Sequence, residues 1–358
     1  MNNDRIQEIL DLMEEARLDY FLISDPQSIA YCTGYYNDPH ERMFVFMISK
    51  HGNHTLFMND LFYLDHDLDV NIVWHKDGQD AIQTIVDEMH FPGRIGIDKN
   101  WASHFLLDLM KKLPDAKYIN ASPCVDLVRM KKDLQEQVLM IESSKINDAV
   151  MEEIIPFIQE GVTEKQLAKK LDELFFNHHS TCYGAIVAFG KNAADPHHEN
   201  DDTLLRKGDC VLIDMGCVYK GYCSDMTRTF FYEGILEEEI KAYEIVKKAN
   251  EAAEAMIKPG VKLSDIDKCA RKVISDEGYG KYFTHRLGHF IGRDVHEYGD
   301  VSSVNEMEVE EGMIFSIEPG IYLEGNFGVR VEDLVMVTKD GCQVLNSFTK
   351  DIVLVFFV

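Results

Sequence analysis

The chain is organised around Gly208–Tyr232, GDCVLIDMGCVYKGYCSDMTRTFFY. Cys210–Ile213 and Thr227–Tyr232 are apolar, β-prone runs, and Tyr219-Lys220-Gly221 between them has the chemistry of a turn. A hairpin centred between Tyr219 and Lys220 sets Asp214 opposite Asp225. Directly opposed Cβ atoms lie about 4.5–5.5 Å apart, with both side chains on one face. Carboxylates held that close repel each other unless a proton or a cation lies between them. The alternative is an acidic pair on a solvated strand. The apolar flanks favour an interior pair, and a buried charge needs a partner.

With 358 residues the chain exceeds the usual size of one core, so two domains are expected. A composition of 46% hydrophobic and 27% charged residues is that of an ordinary globular protein. The formal net charge of -26 argues against nucleic acid as a partner, since that requires a basic footprint. The eight cysteines form no CxxC pair and are expected as reduced thiols in a cytoplasmic protein. MNNDRIQEIL lacks a signal-peptide pattern, and no apolar run approaches the ~20 residues of a membrane helix.

Residues 1–126 are expected to form an α/β domain. Ile6, Ile9, Leu10 and Met13 space out one helix face. Tyr20–Ile23 is a short strand stopped by Ser24-Asp25-Pro26. Met43–Ile48 and Thr55–Met58 form a hairpin over His51-Gly52-Asn53. Helices at 81–89 and 105–113 flank a strand at 94–97. The histidines here are scattered, without ligand spacing. Tyr35–Arg42, YYNDPHER, is a charged loop between apolar runs.

The second domain, 127–358, begins with helices at 134–155 and 163–176 and then repeats itself. Ile158, Gly161, Val162, Leu167, Leu174 and Phe175 recur 99 residues later as Ile257, Gly260, Val261, Ile266, Val273 and Ile274. Gly208, Asp214 and Gly216 recur 104 residues later as Gly312, Glu318 and Gly320. Two matches in the same order point to two similar α/β halves. Each half then carries two carboxylates on a hairpin. In the second half these are Glu318, in MIFSIEPGIY, and Glu332, in GVRVEDLVMV, across a loop containing Gly325 and Gly328.

Four converging carboxylates call for about two divalent cations, and carboxylate-rich ligation suits a hard or borderline metal such as manganese. Thr284–Glu297, THRLGHFIGRDVHE, adds His285, His289 and His296. Three core histidines on one helix face is the competing possibility, but Gly288 and Gly292 would weaken that helix. Asp195-Pro196-His197-His198 lies in a polar loop 17 residues before Asp214, counted from His197.

The phrases IDMG, SDMTRT, GHFIG, DVHE, IEPGIY and GVRVED resemble those of the pita-bread metallopeptidases, and among them the Xaa-Pro dipeptidases, or prolidases. The resemblance covers the whole chain. It implies a small creatinase-like α/β domain followed by a duplicated pita-bread catalytic domain. It also implies five metal ligands, which match Asp214, Asp225, His289, Glu318 and Glu332. His197, His285 and His296 fall where the family keeps histidines that contact substrate. Phe290 stands where glycine is frequent, and Arg293 where an apolar residue is frequent.

The resemblance further implies two divalent ions per subunit, manganese first with cobalt and zinc as alternatives. Held about 3.5–4 Å apart, the two ions share a bridging water and lower its pKa toward neutrality. Asp225 binds one ion, Asp214 and Glu332 bridge, and His289 and Glu318 bind the other. Glu318 is the expected proton shuttle. His296, helped by His197 or His285, steadies the tetrahedral intermediate. Arg330 shares a strand face with Glu332 and either orders a ligand, meets substrate or makes a structural ion pair.

The expected substrate is a small Xaa-Pro dipeptide. An Xaa-Pro aminopeptidase acting on longer peptides is the alternative, and a binding protein without catalysis is a third reading that the complete ligand set disfavours. A homodimer is implied, with loop 35–42 reaching the partner's site as a lid, where Asp38 or Glu41 meets Arg293. Arg293 either places positive charge beside the pocket for the residue before proline or pairs with Asp294 or another local carboxylate.

Overall fold

The computed structural model describes residues 1–90 and 92–356. It separates into two compact units, residues 1–129 and 130–358.

The first unit opens with helix α1 (Asn3–Glu15), capped by the Asn2 side chain, and strand β1 (Tyr20–Ile23). Ser24-Asp25-Pro26 ends that strand but also starts a helix, α2 (Pro26–Thr33), which the sequence reading lacked. The Asp25 carboxylate accepts from the Ser28 N–H at 2.8 Å, and Pro26 occupies the first turn, where a missing N–H costs nothing. β2 (Val45–Ser49) and β3 (Thr55–Asn59) form the expected hairpin. β4 (Asn71–His75) was not anticipated, because its residues are half exposed and do not alternate. It is followed by α3 (Ala81–Glu88), β5 (Arg94–Ile97), α4 (Ser103–Lys112), the unanticipated β6 (Lys117–Asn120) and α5 (Ser122–Met130).

The six strands make one mixed sheet in the order β4-β3-β2-β1-β5-β6. Period-two alternation sends its side chains into two cores. Phe21, Ile23, Phe46 and Ile48 pack with Ile6, Ile9 and Met13 of α1. Tyr20, Leu22, Val45 and Met47 pack with Ile82, Ile85 and Leu109 of α3 and α4. In loop 35–42, Asp38 and Glu41 are exposed, and Arg42 is held within this unit by Glu41 and Asp77.

In the second unit the duplication is visible in the backbone. α6 (Leu134–Ile154) and α7 (Glu164–Asn177) belong to the first half. β7 (Thr181–Cys182), β8 (Ile186–Phe189), β9 (Cys210–Met215), β10 (Cys217–Tyr219), β11 (Tyr222–Cys223) and β12 (Met226–Tyr232) follow. The second half has α8 (Glu237–Met256), α9 (Leu263–Asp276), β13 (Gly288–His289), β14 (Asp300–Val301), β15 (Ile314–Ile317), β16 (Gly320–Leu323), β17 (Phe327–Arg330) and β18 (Asp333–Val337). β19 (Cys342–Val344) and β20 (Val353–Val355) close the chain.

α7 and α9 have the same length and the same 99-residue offset as the sequence repeat. Gly161 and Gly260 share positive φ angles of 81° and 87°, and Gly208 and Gly312 share 87° and 86°. The Leu205 N–H donates to Val162 O, and at the matching place the Val309 N–H donates to Val261 O. Glycine is needed at these positions because L side chains rarely adopt that backbone.

Two expectations about the hairpins are corrected. β9 and β12 pair with Asp214 opposite Thr227, not opposite Asp225, and β10 and β11 pair Tyr219 with Tyr222. The turn is therefore centred between Lys220 and Gly221, both at positive φ, as a type I′ turn requires. The register moves by two residues, so the faces are preserved, and Asp225 is a diagonal neighbour of Asp214. In the second half, Gly328 lies in β17 rather than in the loop, and Gly325, with φ 76°, makes the turn. Among the described residues no helix is long and apolar enough to cross a membrane.

Candidate metal centre

One cavity of about 210 Å³ in the second unit gathers Asp214, Asp225, His289, Glu318 and Glu332, together with His197, His285, His296 and Arg330. Asp214 is the last residue but one of β9, and Asp225 lies between β11 and β12. Glu318 and Glu332 occupy the gap between two ladders, β15–β18 and β16–β17, that share one register, so they stand opposite each other. His289 is the second residue of β13, not part of a helix.

Local contacts aim each candidate ligand. The His289 N–H donates to Ser316 Oγ at 3.0 Å, and Nδ1 faces the Phe290 carbonyl at 3.2 Å. A carbonyl only accepts, so the proton belongs on Nδ1. Nε2 is then turned toward Asp225 Oδ2 at 3.6 Å and Glu318 Oε1 at 3.7 Å. Thr227 Oγ1 donates to Glu332 Oε2 at 2.6 Å and accepts from Arg330 Nε at 3.0 Å. Arg330 Nη2 donates to Asp214 Oδ2 at 2.6 Å. Arg330 thus forms an ion pair with Asp214 and also lines the cavity.

The electrostatics are those of a crowded acidic pocket. Burial pushes Asp214 up to about 6, against the pull of Arg330. Burial pushes Glu318 up to about 7, against His289 and Arg330. Burial also lifts Glu332 well above the carboxylate range, with Asp225 and Glu318 adding to it. For His289 burial works downward, but the Asp225 hydrogen bond and the Glu318 charge outweigh it and raise the imidazole. His285 and His296 move the other way, each lowered to about 4, chiefly by burial.

These residues fit a divalent cation. Ligand atoms of Asp225, His289 and Glu332 all lie within 4.8 Å of one another. Asp225 Oδ1 is buried and has no hydrogen-bond partner among the described residues. A buried unpaired carboxylate oxygen is costly unless a cation takes it up. Four carboxylates and an imidazole suit a hard or borderline ion.

His296 stacks edge-on against His289, with ring centroids 4.3 Å apart. His285 Nδ1 lies 2.7 Å from Arg286 O, and its Nε2 lies 2.8 Å from Tyr322 Oη. His197 is exposed at the end of a loop that reaches the cavity. Arg293 is not among the cavity-lining residues. Its guanidinium lies 5.4 Å from the Tyr222 ring centroid, beside Gly221 of the hairpin turn.

Four contributors escaped the sequence analysis. Tyr183 lines the cavity and donates to Ser224 O at 2.8 Å. It passes so close to Gly216 that a Cβ there would meet the phenol oxygen at 2.0 Å. Tyr322 links His285 to Arg330, donating to the former and accepting from the latter at 3.1 Å. Ser316 and Thr227 hold His289 and Glu332 as described. Tyr322 and Thr227 lie inside quoted motifs, which is a usable signal; Tyr183 offers none.

The signature of metallopeptidase family M24 matches residues 138–339, and that of the creatinase/prolidase N-terminal domain matches residues 5–131. This chain belongs to metallopeptidase family M24. An uncharacterized peptidase of Staphylococcus aureus is 34% identical over 97% of this chain and 99% of its own length. A dipeptidase from Pyrococcus horikoshii shares the fold with a TM-score of 0.91 at 34% identity, covering 98% of this chain and 99% of that one. A prolidase from the same organism gives a TM-score of 0.90 at 28% identity, over 98% and 100% of the two chains. As a member of this family the protein is a metallopeptidase, its fold a creatinase-like domain followed by a duplicated pita-bread domain.

Proposed function

We propose that this metallopeptidase hydrolyses the bond before proline in Xaa-Pro dipeptides. The observation that carries the reading is the convergence of Asp214, Asp225, His289, Glu318 and Glu332 on one small cavity. The whole-chain likeness to a dipeptidase and a prolidase supports the substrate class.

Those five side chains would hold two divalent ions, which supply an ionised water and an electrophile for the scissile carbonyl. Manganese is the first choice, because the donors are mostly carboxylate oxygens. Glu318 takes the proton of the attacking water and hands it to the departing proline nitrogen. That nitrogen has no hydrogen in the substrate, so it must gain one to leave. His296 is neutral near pH 7, since burial lowers it to about 4, and donates a hydrogen bond to the developing oxyanion. Both ring nitrogens of His285 are already engaged, with Arg286 O and Tyr322 Oη. The helper of His296 is therefore His197.

We assign the protein to the cytoplasm as a homodimer. Its cysteines are all unpaired, as a reducing compartment keeps them, and the exposed Asp38 and Glu41 of the charged loop, among the described residues each paired only within that loop's own segment, are open to a partner subunit.

Leu-Pro assayed beside Leu-Pro-Leu tests the substrate class. Cleavage of the dipeptide alone is expected. Faster release of leucine from the tripeptide would replace the reading with an Xaa-Pro aminopeptidase.

A further inference from the structure

His197 must be held by its loop. Its side chain is exposed, and among the described residues no hydrogen bond holds its ring. Residues 190–201 leave β8 and carry His197 to the cavity mouth. The two stems of that loop meet on one buried carboxylate, Glu164, the first residue of α7. Glu164 Oε1 accepts from the Phe189 N–H at 2.8 Å and from Asn192 Nδ2 at 3.0 Å. Oε2 accepts from His198 Nε2 at 2.6 Å and from the Asp201 N–H at 3.0 Å. Two donors come from the outgoing stem and two from the returning one.

The Glu164, His198 and Asp201 ligand atoms lie within 4.8 Å of one another, the spacing of a cation site. Both Glu164 oxygens, however, are already taken by protein donors. A fully buried carboxylate persists only when paired in this way. The duplication shows that the fold does not demand it. At the same first position of α9 stands Leu263, equally buried. Gly328 adds a second constraint on the outgoing stem, because a Cβ there would lie 1.8 Å from Ala193 O.

We propose that Glu164 and His198 are positioning residues that set where His197 stands over the cavity. The inference rests on the role given to His197 above. A displacement near 1 Å can cost about a hundredfold in rate without any contact to substrate.

The test is a double-mutant cycle on the manganese-loaded enzyme with Leu-Pro, metal content being measured in every variant. His197→Ala should lower kcat/KM. Glu164→Gln keeps one acceptor oxygen and turns the other into a donor facing donors. It should lower kcat/KM roughly ten- to a hundredfold, in the same parameter, kcat or KM, as His197→Ala. In the His197→Ala background it should cost almost nothing more, since coupled residues are non-additive. His198→Ala should behave like Glu164→Gln. His198→Gln, which retains an N–H at similar reach, should recover most of the loss.

An equal cost of Glu164→Gln with and without His197, or no cost at all, would overturn the inference while leaving the role of His197 standing. So would loss of metal from the Glu164 variant. Full activity of His197→Ala would overturn both. If Glu164→Gln does not fold, the His198 pair carries the same cycle.

Discussion

In the first half of the duplicated unit, two aspartates sit on a hairpin closed by a tight turn at Lys220-Gly221, and they are staggered by two residues. In the second half, two glutamates stand opposite each other where two ladders meet. The halves also differ in what binds their carboxylates. Arg330, from the second half, binds Asp214 of the first. Thr227, from the first half, binds Glu332 of the second. Behind them Arg228 of the first half pairs with Asp333 of the second at 2.7 Å and donates to the Glu332 carbonyl. Each half therefore orients the other's carboxylates. Duplication supplies the frame, and the cross-links between copies make the centre.

The strongest way to break this comparison is to remove the ions that both halves serve. Dialysis against a chelator should abolish Leu-Pro hydrolysis, and manganese should restore it; persistent activity in metal-free protein would refute a shared dimetal centre. The same treatment has a pH signature. Without metal, folding raises Asp214 to about 6 and Glu318 to about 7, above the ordinary carboxylate values. The folded state then holds these protons more tightly than the unfolded one. Their contribution to stability is present at low pH and is lost as pH rises through about 6 and 7. Metal binding needs the same groups deprotonated. The gap in melting temperature between manganese-loaded and chelated protein should widen from about pH 5 to pH 8.

Next in size is Glu318→Gln, which alters one half only. The shape is kept and the proposed shuttle is lost, so kcat should fall by about 10²–10⁴ with the fold intact. Turnover near wild type with metals bound would mean that another group moves the proton.

A smaller effect tests the cross-link itself. Thr227→Val keeps the volume but removes the hydroxyl that joins Arg330 to Glu332. Outer-shell losses of this kind cost roughly 10–100-fold in metal affinity or activity. A manganese titration of the variant that overlays the wild type would show that Glu332 needs no help from the first half.

The smallest effect is expected at Arg293, beside the first-half turn rather than in the cavity wall. Arg293→Ser should lower the ratio of kcat/KM for Asp-Pro over Arg-Pro a few-fold, and less at high salt. An unchanged ratio would take Arg293 out of substrate selection.

The local motifs carried the ligand candidates because each lies in a short run whose chemistry is visible alone. Gly288 and Gly292 correctly argued against a helix around His289. The repeat was legible because αL glycines and buried positions must recur wherever the same backbone recurs, as at Gly161 and Gly260. Where the sequence misled, the error was one of placement. The hairpin turn was set one step early, because Gly221 at the second central position was not weighed as a type I′ signal. Ser24-Asp25-Pro26 ends a strand and starts a helix with the same residues, and turn chemistry alone signals only the first.

What the sequence by itself determined is the candidate donor set, the two-domain order and the duplication, since residue type, spacing and periodicity are local properties. Which carboxylate oxygen is paired, which is left bare, and which nitrogen of a histidine faces the cavity were decided by tertiary structure. Thr227 meets Glu332 across 105 residues of chain, and Glu164 meets His198 across 34. Such pairs exist only once the sheets have docked and burial has made an unpaired charge expensive, and no local pattern encodes them.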